Sequence, residues 1–313
     1  MIKIDLITGF LGAGKTTFLK KYAKYLMDQG QNICILENDY GAVNVDMMLL
    51  QELRGEQCEL EMVSGGCDAD CHRRRFKTKL IAMGMCGYDR VLIEPSGIFD
   101  VDEFFDALYE EPLDRWYEIG NVITIVDGGM ERHLSKEAEY LLASQAACAG
   151  KILLSHGPNL TEEDVKQTLA QVNGALESIS CKRRFFREDL MEKDWELFTT
   201  EDWQEISSCG YEKENYVKNW NEEEIGFESL YYMDQKISPQ GLQEAVHGIL
   251  TDPACGQVFR VKGFAREEKG QWMELNATRD AFRLEPLAAG QDVVIVIGEN
   301  LSDTHIRRHL EIR

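Results

Sequence analysis

Lys3-Ile4-Asp5-Leu6-Ile7-Thr8, followed at once by Gly9-Phe10-Leu11-Gly12-Ala13-Gly14-Lys15-Thr16, is the stretch that decides the fold. The first six residues read as a strand. Phe18, Leu19, Tyr22, Ala23 and Leu26 then recur at helical spacing on one face, and Gly30 stands just past the helix end. Between strand and helix lies G-x-x-x-x-G-K-[ST], in the context that makes it a phosphate-binding loop. Gly9, Gly12, Ala13 and Gly14 let backbone N–H groups close around a β-phosphate, and the helix N-terminus adds the positive end of its dipole. Lys15 is expected to face solvent without ligand and to reach the β- and γ-phosphates of a bound nucleotide. Thr16 offers its hydroxyl to Mg²⁺, and Thr17 is placed to touch the α-phosphate.

Working outward, strands at Asn32–Glu37, Arg90–Glu94, Asn121–Asp127 and Lys151–Leu154 alternate with amphipathic helices, an order that builds a mostly parallel α/β sheet. A helix over Thr161–Leu176, opened by Thr161 and Asp164 at capping-box spacing, is expected to be the last element of this P-loop domain, residues 1–187. Residues 188–224 hold thirteen Asp or Glu against Lys193, Lys213 and Lys218, with Trp195, Trp203 and Trp220 among them, and read as an acidic linker. Beyond it strands cluster at Phe227–Met233, Val258–Ala265, Gln271–Asn276, Ala281–Leu287 and Val293–Ile297. Helices near Pro239–Leu250 and Asp303–Ile312 flank them, so residues 225–313 read as a small α+β domain.

The 313 residues suit a nucleotide-binding domain plus one smaller domain. A net charge of −21 argues against sequence-independent nucleic-acid binding, which needs clustered Lys and Arg to displace phosphate counterions. No apolar run approaches the ~18 residues of a membrane span, and nine scattered Cys suit reduced thiols, so the expected location is the cytoplasm, away from membranes.

A P-loop needs an acid on a neighbouring strand to hold the metal-bound water, and Glu94 ends the strand that begins at Arg90. Gly97 can then present a backbone N–H to the γ-phosphate. Asp39 and Asp46, after the second strand, are candidates for sensing Mg²⁺ and orienting the attacking water. Lys15, Asp46 and Glu94 are thus the expected catalytic groups. Thr16, Asp39, Asp46 and Glu94 are the expected Mg²⁺ site.

In these motifs the chain resembles the CobW-like metallochaperone GTPases. Thr8 to Thr17, Glu37-Asn38-Asp39-Tyr40-Gly41, Ile93-Glu94-Pro95-Ser96-Gly97 and Val126-Asp127 follow the family's order. So do Val258-Phe259-Arg260-Val261-Lys262-Gly263-Phe264 and Val294-Ile295-Val296-Ile297-Gly298 near the C-terminus. The resemblance implies a GTPase that delivers a metal ion, often zinc or cobalt, to a client metalloprotein, or that assembles a metal-containing enzyme or cofactor.

Two departures stand out. The family's G-C-x-C-C loop reads here Gly66-Cys67-Asp68-Ala69-Asp70-Cys71-His72. Cys67 and Cys71 with His72 suit Zn²⁺, and the carboxylates pull toward harder ions. The bland alternative has the two Cys as packing residues, Asp70 as a helix cap, and His72 on an exposed face with Arg73, Arg74 and Arg75; the basic run through Lys77 and Lys79 reads first as a solvated helix face. The guanine-reading N-K-x-D is replaced by Ser155-His156-Gly157-Pro158-Asn159, which carries no carboxylate. Asn159 matches the two-donor edge of guanine only by half, at a cost of ~1–3 kcal/mol. GTP stays ahead of ATP on the resemblance alone.

Two further functions compete with metal delivery: a nucleotide-switched interaction protein that has lost it, favoured by the altered cysteine loop, and a small-molecule P-loop kinase, for which no acceptor pocket or mobile-Arg lid is evident.

Overall fold

Seven strands form one sheet in the first part of the chain: Ile2–Thr8 (β1), Ile33–Asp39 (β2), Cys58–Ser64 (β3), Arg90–Pro95 (β4), Tyr117–Asp127 (β5), Lys151–Ser155 (β6) and Leu190–Met191 (β7). Their order is β3-β2-β4-β1-β5-β6-β7, and every pair is parallel. The computed structural model describes residues 1–39, 46–65, 69–97, 101–130, 134–155, 160–212, 227–267, 270–279, 282–287 and 290–311. It divides into two compact units, Met1–Asn221 and Glu222–Arg313.

Helices cover both faces of this sheet, as burial on both sides of parallel strands requires. Side chains alternate along β1: Ile4 and Leu6 join one core, and Ile7 joins the other. On the Ile7 face, Lys15–Asp28 (α1) contributes Phe18, Leu19, Tyr22, Ala23 and Leu26, the stripe read from the sequence. Asp46–Leu50 (α2) adds Leu50 there. The opposite face is covered by Ala69–Met83 (α3), Val101–Leu108 (α4), Leu113–Trp116 (α5), Lys136–Ala147 (α6) and Glu162–Ser178 (α7). The expected capping box is present, with Thr161 Oγ1 accepting from Asp164 N and Asp164 accepting from Thr161 N.

A polar network crosses the Ile7 side of the sheet. Asp5 is wholly buried and accepts from Tyr22 Oη (2.7 Å), from both side-chain and backbone nitrogens of Asn121, and from Arg90. Burial, reinforced by the charge of Asp5, keeps the Tyr22 hydroxyl protonated well above the ordinary range.

The acidic stretch departs from the linker expected at 188–224. Its first part supplies β7 and the helix Thr200–Ser207 (α8), and both belong to the first unit. Trp203 stacks on Tyr25 and Tyr22, and Trp195 and Phe198 join the same cluster on α1. Asn121 Nδ2 donates to Ser207 O, and Gly210 N donates to Asn121 Oδ1. Apolar anchors at 195, 198, 203 and 206 therefore hold down a segment whose charges face water. Accordingly α7 is not the last element of this unit. Strand β3 was also unexpected, and β5 begins at Tyr117 instead of Asn121.

In the second unit Phe227–Met233 (β8), Gln257–Arg266 (β9), Trp272–Ala277 (β10), Phe282–Leu287 (β11) and Val293–Glu299 (β12) form an antiparallel sheet ordered β11-β10-β9-β12-β8. Pro239–Thr251 (α9) and Asp303–His309 (α10) pack Leu242, Val246, Ile249 and Ile306 into one core with Val258, Val261, Leu275, Val294 and Val296. This is the expected α+β arrangement. Among the described residues no helix is long and apolar enough to cross a membrane.

Candidate nucleotide and metal site

The carboxyl ends of β1, β2 and β4 lie side by side at the middle of the parallel sheet, the edge where such sheets bind ligands. From β1 the chain turns through Gly9 (φ 148°), Gly12 (φ 82°) and Gly14 (φ 98°) into α1. A side chain at Gly9 would put its Cβ 2.3 Å from Ile125 O, so this turn needs glycine for clearance as well as for its dihedrals. No side chain caps the start of α1. Gly14, the N-cap residue, has no side chain to occupy that position, so the backbone of the turn can approach a phosphate closely.

Lys15 does not face solvent as expected. It is 7% exposed, and Nζ donates to Gly9 O at 3.0 Å, which folds the ammonium back across the loop it serves. Thr16 Oγ1 donates to Glu94 Oε1 at 2.8 Å. Glu94 is buried on β4, and its register partner on β2 is Glu37, also buried. Partners in parallel register point to the same side, so the Glu37 and Glu94 carboxylates share one face of the sheet, with the Thr16 hydroxyl on Glu94. Oxygen donors carrying this much negative charge away from water fit Mg²⁺. Glu37 was not among the residues singled out from the sequence, although it lies two positions before Asp39 in the same motif.

Gly97 is buried against the phosphate loop, where an added Cβ would stand 2.7 Å from Leu11 N. Gln145 Nε2 reaches from α6 to donate to Gly97 O at 3.0 Å, fixing the peptide that follows β4. Nothing in the sequence motifs pointed to Gln145.

Asp39 ends β2 and Asp46 opens α2, but their side chains lie outside the described residues, as do Cys67, Asp68, the Asp70 side chain and Asn159. Cys71 is half-buried in the first turn of α3. His72 is 1% exposed, so the bland placement beside Arg73 to Arg75 fails. Its Nδ1 meets Gly65 O at 3.1 Å and its Nε2 meets Asn38 Oδ1 at 2.8 Å. A neutral ring satisfies both contacts when Nδ1 holds the proton and the Asn38 amide turns its NH₂ toward Nε2. The opposite amide orientation leaves Asn38 Nδ2 buried with no partner among the described residues. Either way, one imidazole joins the end of β2 to the strand-to-helix turn that carries the cysteine loop. The basic run beside it is mostly neutralised on the helix face, Arg73 and Lys77 by Glu110 and Lys79 by Glu61.

Ser155 ends β6 with its hydroxyl buried and without a partner among the described residues. The ring of Trp195 and the Cβ of Ser155 both adjoin the phosphate loop, 3.3 and 3.8 Å from where a Cβ on Gly14 would stand. Two walls of a cavity of about 360 Å³ are Leu160 and Thr161 on one side and Glu192, Lys193 and Asp194 on the other.

Residues 3–187, more than half of the chain, match the family model described as "CobW/HypB/UreG, nucleotide-binding domain". The chain belongs to this family. It is 29% identical over 182 residues to the zinc chaperone YjiA of Escherichia coli, with 55% of each chain covered. It is 21% identical over 343 residues to zinc-regulated GTPase metalloprotein activator 1 of Schizosaccharomyces pombe, covering 96% of this chain and 83% of that one. The crystal structure of Zn(II)-bound YjiA GTPase from E. coli aligns over 100% of this chain and 99% of that one, with 18% identity and a TM-score of 0.37. The chain spans about half the length of the bacterial zinc chaperones it matches. The loop Gly66 to His72 and the segment Ser155 to Asn159, singled out from the sequence, both lie within the matched residues.

Proposed function

We propose that this chain is a Mg²⁺-dependent GTPase that acts in the cytoplasm as a zinc metallochaperone or metalloenzyme-assembly factor for a client metalloprotein. The phosphate chemistry is assigned to Lys15, Thr16, Asp46 and Glu94. Lys15 leaves Gly9 O to place its charge on the γ-phosphate. Glu94 and Thr16 would hold Mg²⁺ together with Asp39, with Glu37 on the same face of the sheet, and Asp46 would orient the attacking water. Mg²⁺, when bound, would supply neutralisation of the developing phosphate charge. Zinc is the cargo, taken by Cys67 and Cys71.

The observation that carries the reading is the His72 bridge. It links the loop of the two cysteines to Asn38, one residue before Asp39, so a rearrangement at the γ-phosphate reaches the thiols through a single buried ring. The test is zinc affinity measured by chelator competition in the GTP-analogue and GDP states. At least a tenfold difference between the states is expected, and it should vanish in the Cys67→Ser, Cys71→Ser double variant. Equal zinc affinity in both states would instead favour the nucleotide-switched interaction protein, a reading supported by the loss of the family's cysteine spacing.

A further inference from the structure

Far from these motifs in sequence, Asp252, Cys255 and His309 of the second unit bring one donor atom each within 4.8 Å of one another. We propose that they form a Zn²⁺ site with three protein ligands and a fourth position open to water.

The arrangement is built from two directions. Asp252 precedes and Cys255 ends a single tight turn, Pro253–Cys255, in which Ala254 N donates to Asp252 Oδ1 at 2.9 Å. Two intervening residues is the spacing of paired ligands in many structural zinc sites. His309 arrives at the end of α10, and that helix is tied to the same turn at its start, where Ser302 N donates to Cys255 O at 3.0 Å. The imidazole lies over Gly248 of α9, where any Cβ would stand 2.5 Å from Nδ1, so the ring owes its place to a missing side chain. Its Nε2 is 2.9 Å from Asp252 Oδ2.

Two other readings of the trio fail on chemistry. An Asp–His ion pair that merely staples α10 to α9 has no use for a thiol turned toward it. A Cys–His–Asp nucleophile needs an accessible thiolate, whereas Cys255 is wholly buried. On binding a divalent ion the thiol proton leaves to solvent, and thiolate, imidazole and carboxylate neutralise the metal. Tetrahedral bonds of ~2.0–2.3 Å would set the donors about 3.3–3.6 Å apart; the Asp252–His309 pair then opens slightly from 2.9 Å, and the Cys255 sulfur, no more than 4.8 Å from either, closes by little more than about an ångström. Asp252 and His309 are each about one-third exposed at the side chain, which leaves the water position on the outer side. The mix of one soft and two harder donors selects Zn²⁺ over Mg²⁺ or Ca²⁺. The inference does not depend on the nucleotide chemistry.

Co²⁺ serves as the probe. The full chain carrying Cys67→Ser and Cys71→Ser, stripped of metal, is titrated with Co²⁺ under reducing conditions. A thiolate-to-cobalt charge-transfer band saturating at about one ion per chain is expected. Adding Cys255→Ser should abolish the band, with the far-ultraviolet circular dichroism unchanged. His309→Gln and Asp252→Asn, both at half-buried positions, should each weaken Zn²⁺ binding at least tenfold in chelator competition. Absence of the band before Cys255 is changed, its survival in Cys255→Ser, or undiminished Zn²⁺ affinity in both His309→Gln and Asp252→Asn would overturn the site.

Discussion

Thr16 Oγ1 donates its proton to Glu94 Oε1 across 2.8 Å, joining the first turn of α1 to the end of β4. Under the proposed function, a hydroxyl and a carboxylate held this way would need little reorganisation to become neighbours in a Mg²⁺ shell. Glu94→Gln is expected to raise the Mg²⁺ needed for half-maximal hydrolysis roughly tenfold, ~1.4 kcal/mol, and to slow turnover while nucleotide affinity stays within a few-fold. The check is a Mg²⁺ titration of GTP hydrolysis beside a fluorescent-nucleotide binding assay. Loss of binding as complete as in a Lys15 variant would show that Glu94 is misplaced.

Lys15→Ala should remove hydrolysis by at least about a hundredfold, because the charge at the γ-phosphate is gone. The apo protein also loses the Lys15 to Gly9 bond, worth no more than ~1.5–3 kcal/mol, so it should remain folded with a slightly lower urea midpoint. An unchanged turnover rate would contradict the assigned mechanism.

His72→Ala leaves an imidazole-sized void and an Asn38 amide facing it. A loss of about 2–4 kcal/mol in unfolding free energy is expected. The more telling outcome is the loss of nucleotide-dependent zinc affinity while Cys67 and Cys71 remain in place. Zinc affinity that still responds to the nucleotide in His72→Ala would mean that the ring is only a packing element.

Base discrimination should be weak. The loop from Ser155 to Asn159 has no carboxylate to be left unpaired by adenine, so GTP and ATP are expected to bind within about tenfold of each other, ~1.4 kcal/mol. Competition of the two against a fluorescent nucleotide at saturating Mg²⁺ measures the ratio. A preference above about a hundredfold would mean that another segment reads the base, and Trp195, beside Gly14, would be the first place to look.

Elements whose side-chain pattern is both periodic and apolar were legible: β1, α1, β4, and the capped start of α7 at Thr161 and Asp164. Strand β3 was not. It is an edge strand whose Glu59 and Glu61 spend one face on polar contacts with Tyr88 and Lys79, so its apolar content is thin. The segment after residue 187 misled because net charge describes the solvent side of a chain and says nothing of the few aromatic residues on its inner side. Within the site, Lys15, Thr16 and Glu94 followed from motif and strand order. Glu37 requires the β2–β4 register, and Gln145 and His72 require tertiary contacts that no local spacing encodes.

The aromatic cover that Trp195, Phe198 and Trp203 lay over α1 bears on how the molecule can be dissected. A fragment ending at residue 187, where the family match stops, would bare Phe18, Tyr22 and Tyr25 to water and remove the wall that Trp195 sets against the phosphate loop. Such a piece would tend to self-associate through that bared stripe and to bind nucleotide weakly for reasons unrelated to its catalytic residues. Cutting after Asn221 keeps the nucleotide-binding unit whole.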